Sequence, residues 1–309
     1  MKTKVSVLMS VYNTKEEWLR QAIESVLSQT LQEIEFLIVI DCPTDDSQSV
    51  VESYARMDDR IRILYNEKNL GLPQSLNKGI AVAAGDYIAR MDSDDVAIRD
   101  RLEKQLQYIE DRQLDIVGAR IVRIDGDGNV ISAPTVCYKE KIIGEALQHA
   151  DCVPHPTWLV RKEVYRELNG YRSIRHCEDY DFLLRAVRKN CRIGVCDEVL
   201  LNYRINTSGI TRSNSLAQHL TSEYLRKNVG RIEEVTQEEI DREVKDKATG
   251  KSAENFEASV SLFRSGVEKI KSRKLLSGAV SILCGLLKSR YAYSNLKNIL
   301  AMRRIAKQG

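Results

Sequence analysis

Three carboxylates crowd four positions of one short stretch. In "DYIARMDSDD" (86–95) an apolar run ends in Asp92, Asp94 and Asp95, with Ser93 among them. Like charges this close repel, and on sequence alone nothing in the stretch neutralises them. If the run is a strand, Asp92 and Asp94 point to the same side. Two hard oxygen donors on one side suit Mg2+ or Mn2+, whose open positions suit phosphate oxygens. The plainer alternative is a solvated acidic turn that caps the next helix. Asp95 stays open between that role and support behind a metal site. A second acidic site, Glu178-Asp179 in "EDYD", comes from a distant part of the chain. A carboxylate there can take the proton from an attacking hydroxyl. Its alternative is a helix start, where the helix dipole favours acidic residues, and Asp181 belongs to that helical turn.

The flanking elements decide between these readings. Val5–Val11 is an apolar run of strand length, and a helical stripe follows at 18, 19, 22, 23, 26 and 27, with Thr14 and Glu17 as its capping box. "EFLIVI" (35–40) is a second buried strand, followed by a helix to about Met57; residues 61–65 form a third. A helix over 72–84 takes Pro73 in its first turn and ends at Gly85; "DYIARM" is the fourth strand. A helix over 99–112 and the strand "DIVGARIVRI" come next, with "DGDGN" (125–129) as a hairpin turn. Alternation with fully apolar strands means a mostly parallel sheet flanked by helices, and such sheets bind ligands outside the carboxyl ends of their strands. Asn13, Asp41 and Asp92–Asp95 all fall at that rim. Region 150–215 is less regular: "HPTWLVRKEVYRELNGYR" is a short strand, a helix and a glycine stop. Beyond Arg226 the pattern is helical, with Thr236 and Glu239 capping one helix.

Composition removes several classes. No G-x-G-x-x-G follows the first strand and no G-x-x-x-x-G-K-[ST] occurs, which argues against dinucleotide-binding and P-loop enzymes. Few aromatics and no recognition motif argue against nucleic acid as a partner. Seven irregularly spaced cysteines read as reduced thiols in a cytoplasmic protein. Arg226 to Gly309 holds eighteen Lys and Arg against ten Asp and Glu, and from Lys269 onward ten basic residues and no acidic one. This tail, with the thirteen-residue apolar stretch Leu275–Leu287, reads either as a helical subdomain packing its apolar stripe on the rest or on a second subunit, or as a peripheral contact with the inner membrane face.

Together, "SVLMSVYN", "SVLSQT", "VIDCPTDDS", "NLGLPQSLNKGI", "AAGDYIARMDSDD" and "CEDYDFLLR" form an ordered series. At matching spacing over roughly residues 3–215, it strongly resembles the family 2 glycosyltransferases of the GT-A fold. "RMDSDD", "HPTWLVRK" and "LNYRINTSGIT" resemble most the branch that builds bacterial capsule, O-antigen and exopolysaccharide. The resemblance implies a GT-A catalytic domain over 1–225 and a basic helical region over 226–309. It implies an inverting, Mn2+- or Mg2+-dependent enzyme moving a sugar from a nucleotide-sugar, with uracil the base by family weight, to a saccharide or lipid-linked acceptor. Tyr12 and Asn13 would lie beside the nucleotide and Asp41 would bind the base. Asn77 and Lys78 would line the diphosphate. Asp92, with Ser93 beside it, would contact ribose or metal, and Asp94 would ligate the metal. Asp179 would be the catalytic base, with Glu178 beside it. His155, Arg204 and Arg212 would close over the diphosphate, His155 there as a further metal ligand beside Asp92 and Asp94 or equally as a structural histidine before Pro156. Two departures bear on base selectivity: Ile40 stands where the family has a first acidic residue, and Cys42-Pro43 where it commonly has Gly-Ser. Leu76 stands where a basic residue is often found. The rival reading is a non-catalytic nucleotide-sugar-binding subunit of a glycan-assembly complex, against which the intact "EDYD" argues.

Overall fold

The computed structural model describes residues 3–205, 215–248 and 250–308. Strand β1 (Val5–Val11) explains the architecture around it. Its side chains alternate between two apolar clusters: Val5, Val7, Met9 and Val11 enter one and Leu8 the other. A strand buried on both faces needs helices on both, and parallel neighbours need long crossovers. These are α1 (Glu16–Leu27), α2 (Ser47–Ala55) and α3 (Leu72–Val82), which link β1 to β2 (Ile34–Ile40), β3 (Ile61–Tyr65) and β4 (Tyr87–Asp92). β1 lies between β2 and β4, with Met9 opposite both Ile38 and Met91. Each fully buried Val, Ile or Leu contributes about 1.5–3 kcal/mol. A one-residue slip would turn a whole set outward, so the register is firmly held.

The second half of the sheet is mixed. It contains β5 (Val96–Ala97), β6 (Ile116–Ile124), β7 (Leu159–Arg161) and β8 (Ile193–Arg204), and the strand order is β3-β2-β1-β4-β7-β6-β8-β5. β6 and β8 are parallel, whereas β7 runs antiparallel between β4 and β6, and β5 antiparallel to β8. The helices here are α4 (Arg101–Asp111), α5 (Glu140–Leu147), α6 (Lys162–Glu167) and α7 (Glu178–Arg188). β8 has no counterpart in the sequence reading. The pairing jumps from Ala119–Cys196 to Arg120–Val199, so Asp197 and Glu198 bulge out and break the apolar run.

Two local expectations are corrected. Thr14 does not cap α1: its hydroxyl lies 2.6 Å from Ser93 Oγ, and Glu17 pairs with Lys15 at 2.8 Å. Gly85 does not end α3, which stops at Val82. Its amide donates to Ser6 Oγ at 2.9 Å, and a Cβ there would lie 2.6 Å from the Ser6 nitrogen, so close approach to β1 requires glycine. The Thr236–Glu239 capping box forms as read, at the start of α9 (Gln237–Val244).

Past β8 come α8 (Ser215–Lys227), α9, α10 (Gly250–Lys271), α11 (Leu275–Lys288) and α12 (Ala292–Ala306). Leu216, Ile232, Ile240, Phe256 and Ile305 join the apolar cluster that holds Trp158 and Phe182. No helix among the described residues is long and apolar enough to cross a membrane. Buried Asp181 fixes α7: it pairs with Arg172 and, at 2.9 Å, with Arg185, whose guanidinium also donates to the Leu168 and Gly170 carbonyls. Removing one partner strands the others without water, so Asp181→Ala should destabilise the fold by about 3–5 kcal/mol. Urea unfolding checks this; a loss below about 1 kcal/mol, the surface-pair range, would show that the network does not hold α7.

Candidate active site

The carboxyl ends of β1, β2 and β4 open onto a cleft of about 520 Å³ lined by Tyr12, Asn13, Trp18, Asp41, Asp92 and Asp94. Tyr12 is exposed there. Asn13, in left-handed backbone, accepts the Thr44 amide at 2.7 Å and so joins the β1 end to the loop after β2. Asp41 organises the next loop. Its Oδ1 accepts from Asn66 at 2.7 Å and the Leu70 amide at 2.8 Å, and its Oδ2 from the Gly71 amide at 2.9 Å. Of roughly four lone-pair positions on a carboxylate, one stays uncommitted. Cys42 has φ +55°, a conformation glycine takes without strain, which accounts for the usual glycine there.

Ligand oxygens of Asp92, Asp94 and Asp95 lie within 4.8 Å of one another. Contrary to the sequence reading, the stretch carries its own counter-charge. Arg90 sits two residues before Asp92, hence on the same face of β4, and its Nη2 meets Asp92 Oδ1 at 2.6 Å. Arg90 is buried, and its Nε and Nη1 have no hydrogen-bond partner among the described residues. One guanidinium cannot balance three carboxylates. Burial first and the Asp92 charge second push the Asp94 carboxyl up to about 6. The same causes, with Asp94 added, hold Asp95 well above the usual carboxylate range. Asp95 Oδ1 accepts the Arg204 amide at 2.8 Å, but its Oδ2, fully buried, has no partner among the described residues. A buried oxygen lacking a donor is costly, so a divalent cation fits this donor set.

Glu178 and Asp179 open α7, both within electrostatic reach of Arg90 and Glu178 also of Asp92. Burial first and the Asp179 charge second push Glu178 up to about 7; Asp92 adds to the rise and Arg90 opposes it. The two acidic groups thus share one electrostatic field. Asp179 is raised by burial, against the pull of the Tyr180 amide, which donates to its Oδ1 at 2.7 Å. Asp151, which sequence reasoning missed, is hydrogen-bonded to Asp179 through their carboxyl groups. Desolvation first and the Asp179 charge second hold Asp151 well above the usual range. No periodicity marks Asp151, which lies in the irregular segment after α5.

Other expected site residues are occupied elsewhere. His155 is not in the acidic cluster: its Nε2 lies 2.8 Å from Tyr171 Oη and its ring packs edge-on to Trp158, while burial holds it well below its ordinary pKa. This is the structural histidine, in place of a metal ligand. Asn77 faces the 170–171 turn, exchanging hydrogen bonds at 2.8 Å with the Tyr171 amide and carbonyl. Lys78 donates to the Tyr65 carbonyl and to Asn66 Oδ1, bracing the partner of Asp41. Neither lines the cleft. Arg204 does not offer a free guanidinium to a diphosphate: it donates to the carbonyls of Asp94, Asp125 and Gly126 and to Gln21 Oε1. Ser93 lines the cleft against Thr14. Arg212 lies outside the described residues. Trp18 joins the wall, donating to the Gly126 carbonyl at 3.0 Å, so the 125–129 hairpin turn is tied to the site.

Known proteins carry the same chain plan. The family described as Glycosyl transferase family 2 matches residues 6–168. The uncharacterized glycosyltransferase MJ1057 of Methanocaldococcus jannaschii is 34% identical over 226 residues, covering 72% of this chain and 78% of the relative. The O-antigen biosynthesis glycosyltransferase WbnJ of Escherichia coli is 33% identical over 225 residues, covering 71% and 86%. The crystal structure of S. aureus TarS 1–349 in complex with UDP-GlcNAc has the same GT-A fold, with a TM-score of 0.60 at 17% identity over 98% of this chain and 90% of that one. With the family matching more than half of its length, and a relative above 30% identity over more than two thirds of it, the chain belongs to glycosyl transferase family 2 and is a glycosyltransferase.

Proposed function

We propose that this glycosyltransferase is inverting and metal-dependent. It moves a sugar from a nucleotide-sugar, with UDP as the nucleotide, to a hydroxyl of a saccharide or lipid-linked glycan in surface-polysaccharide synthesis, using the first 225 residues. The observation that carries this reading is the cluster of Asp92, Asp94 and Asp95, whose ligand oxygens lie within 4.8 Å of one another beside the cleft, with Glu178 within electrostatic reach of Asp92 and Arg90. WbnJ, named for O-antigen synthesis, and TarS, bound to UDP-GlcNAc, support the acceptor and donor classes.

The uncommitted acceptor position of Asp41 takes an imide N–H of the base. Tyr12 and Asn13 flank the nucleotide. Asp92, Asp94 and Asp95 would hold a divalent cation, Mn2+ or Mg2+, which when bound would supply charge neutralisation for the leaving diphosphate. Arg90 holds Asp92 in place. Asp179 takes the acceptor proton as the new O–C1 bond forms and the C1–O bond to the diphosphate breaks on the opposite face. Asp151 keeps its own proton and donates to Asp179, fixing the base without neutralising it. Glu178 faces the sugar and tunes Asp179 by like charge.

Asp179→Asn should cut transfer at least about a hundredfold, within the range for losing a general base, with donor binding intact by calorimetry. Near-normal turnover would remove the base assignment. The acid limb follows from sign. The base works unprotonated, so activity persists above the pair's titration and falls as pH drops through it, above the ordinary carboxylate range because burial raises both groups. Glu178→Gln removes the neighbouring charge and should move the limb of the kcat/KM profile downward; an unmoved limb would show that the two do not interact.

The acidic triad makes a separate, paired prediction. Carboxyls raised in the fold lower stability as pH rises past their unfolded values. Asp95→Asn should therefore raise the melting temperature of metal-free protein at pH 7 while abolishing the upward shift given by Mn2+ with UDP-sugar. Asp94→Ala should abolish the same shift. A thermal-shift series with Mn2+, with EDTA, and with UDP-, GDP- and dTDP-sugars reads this and the base preference together. A donor shift equal in EDTA and Mn2+ would rule out the metal site. Donor hydrolysis, which needs no acceptor, separates the enzyme from a non-catalytic subunit.

A further inference from the structure

Helix α11 is arranged inside out. A helix in water ordinarily buries its large apolar side chains and shows its small and polar ones. In α11 the buried residues are Gly278, Ser281 and Gly285, and these face α10. The approach is close: a Cβ at Gly278 would lie 2.8 Å from the Gly266 carbonyl oxygen, and one at Gly285 would lie 2.7 Å from the Phe263 ring. The large side chains point the other way. Leu276 is 86% and Leu287 80% exposed, with Leu275, Val280 and Leu283 also exposed. At 100° per residue, 276, 280, 283 and 287 form one stripe opposite 278, 281 and 285. Both ends of the stripe are basic. Arg273 and Lys274 precede it, Lys288 and Arg290 follow it, all four exposed, and no acidic residue occurs from Lys269 onward.

We infer that the outward face of α11 docks on the surface of an anionic lipid bilayer. The alternative of packing the stripe on the rest of the chain is not what the fold does, because the leucines remain outside. Self-association is disfavoured by charge: both ends of α11 are basic, so parallel or antiparallel pairing of two copies sets like charges against each other. Anionic headgroups neutralise those same four cations while the leucines enter the acyl boundary. The helix lies on the bilayer rather than through it, since its fourteen residues are too few to span. The small-residue face seen between α10 and α11 lets the two helices lie as one thin plate, the packing that apolar surroundings favour. This inference stands apart from the donor chemistry, and its test needs no nucleotide-sugar.

Co-sedimentation with vesicles of equal parts phosphatidylglycerol and phosphatidylcholine, and with phosphatidylcholine alone, decides the matter on the full chain. The expected result is binding at least about tenfold stronger to the anionic vesicles, from four cations near the surface. Leu276→Ser with Leu283→Ser should lose that binding about tenfold or more, while circular dichroism and the donor-induced thermal shift stay unchanged, because both side chains are exposed. Failure of the wild type to bind anionic vesicles at low salt would overturn the inference. Full binding by the double variant would too, since charge alone would then suffice. A dimer in sedimentation velocity that the double variant dissolves would assign the face to a second copy of this chain instead.

Discussion

Burying like charges together is the constraint on which the cleft is built. Asp92, Asp94 and Asp95 are within a few ångströms of one another, with Glu178 in their field, and Asp179 at the same helix start is paired with Asp151 from the loop after α5. Arg90 is the fixed positive charge between the two groups. It is paired with Asp92, and its field lowers the cost of ionising Asp94, Glu178 and Asp179 while disfavouring a proton on His155. A guanidinium cannot give up its proton, so this charge holds at any pH the enzyme meets. The negative charge it leaves unbalanced is costly to the fold, and the cation and acceptor proton proposed above would relieve that cost, as expected where function sets local composition against stability.

Much of the fold was legible because its signal is local. β1, β2 and β4 are apolar runs, their helices carry clear stripes, and the rim position of the carboxylates follows from parallel topology. β8 escaped because the Asp197-Glu198 bulge interrupts its pattern, whereas β7 was legible as a short strand whose three residues leave too little pattern to give direction. Arg90 was readable in principle, since strand alternation puts residues 90 and 92 on one face. Asp151 carried no signal, because its meaning lies in an encounter with a helix that begins much later in the chain.

The residues expected around the diphosphate show a different limit. Asn77, Lys78, Arg204 and His155 carry the right chemistry, yet each spends it on the protein itself. Asn77 and Lys78 hold α3 and the Asp41 loop, His155 packs among Tyr171 and Trp158, and Arg204 clamps four backbone or side-chain oxygens. Sequence identifies side-chain types; whether their donors are free depends on which carbonyls the tertiary fold leaves nearby. Thr14 makes the same point, its hydroxyl serving the acidic loop rather than its own helix.

The clamp by Arg204 gives the acidic motif a topological meaning. The amide and guanidinium that define the backbone of Asp94 and the carboxyl of Asp95 arrive from a residue 109 positions later. Closing a loop of that length costs entropy that only a completed sheet offsets. A fragment ending before β8 would contain every letter of "DYIARMDSDD" without the shape that gives those letters a use. Competence of this loop is a property of the closed chain, and the motif by itself is only its address.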